Sequence, residues 1–183
     1  DAGIWALLGG ALTLCLVGLV DDLVPLKPQT KLVSQILVAS GLAALGLKLS
    51  LTGYPVLDVI VTILWIVGVT NAFNLLDNMD GLAAGIAAIA VGFRLAFFLM
   101  DGNLEGAAVA AIVLGAVLGF LVFNFNPASI FMGDAGSLFL GVMVSGLSLV
   151  GGWPYSRGLV SVLLLPLLIL LVPIFDTAFV TIA

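Results

Sequence analysis

Along most of this chain apolar residues do not alternate with polar ones; they run on. Continuous apolar stretches occupy residues 4–20, 32–51, 56–73, 82–100, 106–123, 137–152 and 159–175. Each approaches the ~20 residues needed to cross ~30 Å of hydrocarbon at a rise of about 1.5 Å per residue. A membrane β-barrel would instead alternate apolar and polar positions in segments of ~10 residues. The pattern therefore predicts an all-α fold, a polytopic transmembrane helical bundle of about seven spans. No repeat, low-complexity tract or polar linker divides it, so residues 1–183 read as a single membrane-embedded domain.

The polar residues gather in the connections, and they do so unevenly. Numbered in order, the odd connections hold residues 21–31, 74–81 and 124–136 and the region of Asp176. Consecutive spans alternate in direction, so these four lie on one side of the membrane. The even connections, residues 48–55, 101–105 and 151–157, carry no matching clusters of acids and amides. Within the spans, Gly81, Ala84 and Gly85 and the pair Gly115 and Gly119 have the spacing that lets helices approach closely in lipid.

Composition sharpens this picture by exclusion. The chain is 63% hydrophobic and 8% charged, against roughly 45–50% and about 25% in soluble domains, so lipid is the natural solvent for most of its side chains. With net charge −5 and only five Lys and Arg, it has no basic footprint for nucleic acid. Cys15 stands alone in an apolar run and reads as a small packed hydrophobe. Histidine is absent, which removes the commonest general base and the usual zinc ligand and leaves the chemistry to carboxylates. Lys27 and Lys31 lie on the odd side, while Lys48, Arg157 and an Arg94 expected to snorkel lie towards the other, so the positive-inside rule does not decide the orientation. The chain starts at Asp1 and stops at Ala183 inside an apolar segment, and it reads as an internal fragment.

Three clusters carry the candidate chemistry. Asp21 and Asp22 end the first span, with Lys27 and Lys31 following. Neighbours on a helix point ~100° apart, so the two carboxylates are expected to serve different partners. In Asn71-Ala-Phe-Asn74-Leu-Leu-Asp77-Asn78-Met-Asp80-Gly81, the residues Asn71, Asn74 and Asp77 recur every third position and form a polar stripe at the end of an apolar helix. Polar residues at this density are costly in a membrane unless paired or hydrated. The third cluster runs from Asn124 through Asn126-Pro127 to Phe131-Met132-Gly133-Asp134-Ala135-Gly136-Ser137. Pro127 is expected to end the preceding helix. Gly133 and Gly136 permit tight backbone near a ligand, and Asp134 is expected just before a helix N-terminus whose free N–H groups suit a phosphate. Carboxylate and amide oxygens from separate loops match a hard cation such as Mg²⁺, which often bridges substrate phosphates. A diphosphate substrate is the economical hypothesis.

These motifs, in this order and over nearly the whole chain, resemble the polyprenyl-phosphate N-acetylhexosamine-1-phosphate transferase family. The resemblance rests on Asp21-Asp22 with Lys31, on Asn71-Ala-Phe-Asn74-Leu-Leu-Asp77-Asn78-Met-Asp80-Gly81-Leu82-Ala83, and on Asn124 through Ser137. It implies transfer of a sugar phosphate from a UDP-sugar to a polyprenyl phosphate with release of UMP. The reaction would run at the cytoplasmic face of the bacterial inner membrane, in a multi-pass protein that is compatible with a homodimer. By motif position, Asn74 and Asp134 would hold Mg²⁺ or Mn²⁺, and Asp134, Asp21 and Asp22 would form the catalytic set, the last two near the acceptor phosphate. Asn71, Asp77, Asp80, Asn124 and Phe131 would line the nucleotide and diphosphate pocket, and Lys31 would balance phosphate charge. Two departures stand out. Asn78 occupies a position where the family often has Gly, and a His-bearing loop expected after Pro173-Ile-Phe-Asp176-Thr is not in this sequence, so part of the site is expected outside it. The Pro173 segment resembles the N-acetylglucosamine branch more than the phospho-MurNAc-pentapeptide branch. Readings of other classes are a cation- or proton-coupled transporter and a silent scaffold. Transporter sites lie near the midplane, whereas these acids lie at helix ends on one face.

Overall fold

The computed structural model describes residues 2–151. Among them are six helices and no strand: α1 (Ala2–Leu23), α2 (Pro28–Ala44), α3 (Pro55–Leu76), α4 (Leu82–Met100), α5 (Leu104–Asn124) and α6 (Gly133–Leu147). The expected run at 159–175 and the Pro173 to Asp176 segment lie outside the described residues. By length and composition α1, α3, α4 and α5 suffice to cross a bilayer; α6 is shorter, at 15 residues. Large apolar side chains such as Trp5, Leu12, Leu64, Ile89, Phe93 and Ile112 point outward, as a lipid-facing surface requires.

The helix starts follow from local chemistry. Pro28 and Pro55 open α2 and α3 after extended residues, at the first helical position, where a missing N–H removes no intrahelical bond. Asn103 caps α5 by accepting a hydrogen bond from the Gly106 backbone at 2.9 Å. Gly81 enters α4 with φ +72°, in the left-handed region open to glycine.

Two boundaries differ from expectation. The apolar run 32–51 is not one helix. α2 begins earlier, at Pro28, and stops at Ala44, and Gly46 turns the chain at φ +97°. Leu47 and Leu49 then fold back into the core. This segment is held by Asp58, whose Oδ1 accepts from the Leu51 and Thr52 backbones and the Thr52 hydroxyl at 3.1, 2.8 and 2.8 Å. Thr62 adds a hydrogen bond from Leu49 N to its Oγ1 at 2.9 Å. Burial of Leu47 and Leu49 by tertiary contact gives the segment its hydrophobicity without requiring helix. The second difference is α6, which starts at Gly133, so Asp134 lies inside its first turn and not before it.

α6 is the central helix, packing chiefly against α1 and α3, while α4 pairs with α5 and α2 lies against α1 and α3. Its buried positions go round the whole helix, from Ser137 and Leu138 to Gly146 and Leu147. Glycines allow this closeness. A Cβ on Gly141 would stand 2.5 Å from Thr70 Cα on α3, and one on Gly18 of α1 would strike the Asp134 and Ala135 backbone. The expected small-residue contacts fare unevenly: Ala84 is fully buried, but a Cβ on Gly85, Gly115 or Gly119 would meet nothing within 4 Å among the described residues. Arg94 does not snorkel. Its guanidinium donates to the Leu147 carbonyl at 2.6 Å and to the Val150 carbonyl, capping the C-terminal end of α6, and lies 4.3 Å from the Phe98 ring centroid. An intramembrane cation is here neutralised by helix-end carbonyls and an aromatic face.

Candidate active site at one membrane face

The ends of α1 and α3 and the starts of α2 and α6 meet on the side of the odd connections, and each brings one of the expected polar groups. Asp21 and Asp22, on the last turn of α1, divide as their helical offset predicts. Asp21 Oδ1 accepts from Leu26 N at 2.6 Å, and its Oδ2 pairs with Lys31 Nζ at 2.7 Å. Asp22 turns towards α6, where its two oxygens accept from the backbone N–H groups of Asp134 (2.8 Å) and Ala135 (3.1 Å). A carboxylate thus caps the N-terminus of α6 and satisfies donors that the helix leaves open. The expectation of N–H groups open to a phosphate is corrected accordingly for Asp134 and Ala135. Gly133 makes this approach possible: its φ is +66°, and a Cβ there would stand 2.8 Å from Asp22 Oδ2.

Asp134 is the centre of the arrangement. Lys31 Nζ reaches its Oδ2 at 2.6 Å, so one ammonium bridges carboxylates from α1 and α6. Asn74 Nδ2 donates to Asp134 Oδ1 at 2.7 Å and to Ser137 Oγ at 2.9 Å. Asp77, at the C-terminal end of α3, also faces this group. Partial burial pushes its carboxyl up to about 6, assisted by the negative charges of Asp134 and Asp22 and opposed by a hydrogen bond from the Gly133 backbone.

The remaining expected residues stand around this centre with different partners. Asn71 forms a two-way amide pair with Gln35 of α2: Asn71 Nδ2 donates to Gln35 Oε1 at 2.6 Å, and Gln35 Nε2 donates to Asn71 Oδ1 at 3.3 Å. Asn124 is buried, accepting from Gly81 N at 3.0 Å and donating to the Ile130 carbonyl at 3.0 Å. Asp80 Oδ2 accepts from Asn126 Nδ2 at 3.2 Å and Ala128 N at 3.0 Å. Asp80 and Asn124 therefore tie the α3–α4 connection to the α5–α6 connection, and their side chains do not reach the Asp21–Lys31–Asp134 centre through any of these bonds. Phe131, on that second connection, is 77% exposed. Gln35 lies outside the three clusters marked out in the sequence, and Asn126 stands in the third without an assigned role. Gln35 had a signal, since it lies four positions after Lys31 on the same helical face, a polar residue inside an apolar run.

Among the described residues no group of three His, Cys, Asp or Glu side chains forms a ready metal cage. Two carboxylate oxygens from different helices nevertheless converge on a single positive charge. That donor set fits a hard cation of the Mg²⁺ type, which keeps few protein ligands and takes the rest from water and substrate phosphate.

Fold and site together define an integral membrane helical bundle with an anionic, amide-rich centre at one face. The glycosyl transferase family 4 model matches residues 4–152, and the chain belongs to that family. It is 40% identical over 179 residues to a probable undecaprenyl-phosphate N-acetylglucosaminyl 1-phosphate transferase of Bacillus subtilis, covering 93% of this chain and 49% of that protein. It is 35% identical over 189 residues to a decaprenyl-phosphate N-acetylglucosaminephosphotransferase of Mycolicibacterium smegmatis, covering 88% and 47%. It is 37% identical over 156 residues to a phospho-N-acetylmuramoyl-pentapeptide-transferase of Halalkalibacterium halodurans, covering 73% and 47%. The chain thus spans about half the length of the curated relatives it matches.

Proposed function

We propose that the full-length protein transfers N-acetylhexosamine 1-phosphate, with N-acetylglucosamine as the sugar, from a UDP-sugar to a polyprenyl phosphate. An oxygen of the lipid phosphate attacks the β-phosphorus of the UDP-sugar, the bond to the α-phosphate oxygen breaks, and UMP leaves. The observation that carries this reading is the convergence of Asp21, Lys31, Asn74 and Asp134 from four helices on one point at a membrane face, in a chain of this family. There a lipid-borne phosphate and a soluble nucleotide sugar can both arrive.

In this reading Asp134 and Asn74 hold Mg²⁺, for which Mn²⁺ can substitute, and Asp21 lies within reach of it. A divalent cation there supplies neutralisation of the diphosphate and stabilisation of charge on the departing UMP. Lys31 offers an ammonium to phosphate oxygens. Asp21 accepts a proton from the lipid phosphate, whereas Asp22, with both oxygens on α6 N–H groups, fixes the orientation of Asp134. Asn71, Asp77, Asp80, Asn124 and Phe131 shape the nucleotide pocket: Asn124 and Asp80 by holding the loop that carries Phe131, and Phe131 by stacking. The active face is cytoplasmic, on the inner membrane of a bacterium.

Phospho-MurNAc-pentapeptide transfer is the second reading, favoured by the 37% identity to a relative of that name. Incubating membranes that hold the full-length protein with polyprenyl phosphate and, separately, UDP-N-acetylglucosamine and UDP-MurNAc-pentapeptide distinguishes the two. The expected result is a lipid-linked product from the first donor only, lost on chelation of divalent cations. Product from neither donor would overturn the reading.

A further inference from the structure

Both carboxylate oxygens of Asp134 are already engaged: Oδ1 by the Asn74 amide at 2.7 Å and Oδ2 by the Lys31 ammonium at 2.6 Å. Each oxygen keeps a second lone pair, but a divalent cation on Oδ2 would lie close against the Lys31 ammonium and be repelled by it. The two donors are not equivalent in what they cost to move. Asn74 is held on a second side by Ser137, a buried residue of α6. Lys31 stands in the first turn of α2 on a flexible four-carbon stem, and its side chain is 23% exposed. It can leave by rotation about its own bonds while α2 stays in place.

The charge balance points the same way. Asp21, Asp22, Asp77 and Asp134 surround this point, and Lys31 is the cation in contact with two of them, Asp21 and Asp134. Asp22 has its charge met by the α6 N-terminus. Asp21 and Asp134 share the Lys31 ammonium, and without it two like charges would sit against one another.

We propose that Lys31 is an internal counter-cation that stands at the metal seat on Asp134, beside Asp21, until a divalent cation enters, and then swings onto the phosphate of the incoming substrate. The inference rests on the assignment of that seat to a divalent cation under Proposed function. It makes Lys31 a competitor of the metal in the empty enzyme and a partner of the phosphate in the loaded one. Metal and substrate then bind cooperatively: phosphate gives the displaced ammonium a new partner, so each favours the other.

The test is Mn²⁺ binding to the full-length protein in lipid nanodiscs without substrate, read from the electron paramagnetic resonance signal of free Mn²⁺. Lys31→Met removes the competing charge close to the seat, and Lys31→Gln does so while keeping a polar, hydrogen-bonding side chain. Each neutral variant is expected to bind Mn²⁺ at least about ten-fold more tightly than the parent, given the strength of a charge at this range. Lys31→Arg, which keeps the charge, is expected to stay near the parent value. Addition of the UDP-sugar should tighten Mn²⁺ binding in the parent more than in Lys31→Gln. Unchanged or weaker Mn²⁺ binding by both neutral variants would overturn the proposal and leave the metal site standing, provided that Asp134→Asn still abolishes binding. If Asp134→Asn binds Mn²⁺ as the parent does, the metal seat itself is wrong and the proposal falls with it.

Discussion

Asp21 and Asp22 are adjacent in sequence and opposite in role, and the difference comes from where α1 stops. The last turn of the helix aims one carboxylate at Lys31 and the other at the backbone of α6. Asp22→Ala should therefore act on the fold: it removes a helix cap worth about 1 kcal/mol and lowers the unfolding temperature. Asp21→Asn keeps an oxygen for the Leu26 N–H but loses the ion pair with Lys31, and its main effect should be on turnover, reduced by about 10²-fold or more. Thermal unfolding and transfer assays on both variants check this, and equal effects in both measurements would remove the division of labour. Asp77 carries a different signature. Its carboxyl is raised to about 6 from an ordinary value of 3.8, so in the cation-free protein the folded state holds this proton more tightly than the unfolded state does. The ionised group then opposes folding fully above about pH 6, and the opposition fades as pH falls through that value towards 3.8. Asp77→Asn is expected to raise the unfolding temperature at pH 7.5 without added metal and to leave it unchanged near pH 3.5.

At the scale of elements, what decides the site is how closely α6 can approach α1 and α3. Gly18 and Gly141 permit that approach, whereas the more conspicuous spacing in the sequence is that of Gly115 and Gly119. Spacing alone does not tell which face of an apolar helix meets protein and which meets lipid, because both faces are apolar. Gly141→Ala should overpack the contact with Thr70 and cost about 1–3 kcal/mol, whereas Gly115→Ala, whose added Cβ would meet nothing within 4 Å among the described residues, should cost nothing. Unfolding of the two variants in the same detergent measures the difference. The same ambiguity hid the end of α2. Leu47 and Leu49 look like helix in an apolar run, yet they are buried by a turn that depends on Asp58 and Thr62. These two polar residues stand four positions apart on one face of the otherwise apolar first half of α3, and the sequence does not say which segment they hold. The acids and amides of the site were legible for the converse reason: polar side chains grouped at the ends of apolar runs need partners, and the parity of the spans put them on one face. Which of them touch was not legible. The Asn71–Gln35 pair, the Asp22 cap and the loop clasp of Asn124 and Asp80 arise from contacts between residues 36 or more positions apart.

Across the described residues, two parts cooperate. α1, α2, α3 and α6 bring the charged groups together, while the α4–α5 hairpin fixes both ends of the arrangement: Gly81 and Asn124 at the active face, and Arg94 at the far end of α6. The central helix is thus anchored by a carboxylate at its N-terminus and a guanidinium at its C-terminus, in the sense that its dipole favours. Its first turn presents Asp134 at one membrane face, where the proposed function would bring a lipid phosphate and a soluble nucleotide together. The central claim is that the bond broken lies between the two phosphates of the donor. It is tested most directly by giving the full-length protein UDP-N-acetylglucosamine carrying ³²P only in the β-phosphate, together with polyprenyl phosphate and Mg²⁺. The account predicts that the label moves wholly into the lipid, that unlabelled UMP appears in equal amount, and that Asp134→Asn slows both by about 10²-fold or more. Label left in a released nucleotide, or transfer undiminished in Asp134→Asn, would contradict it.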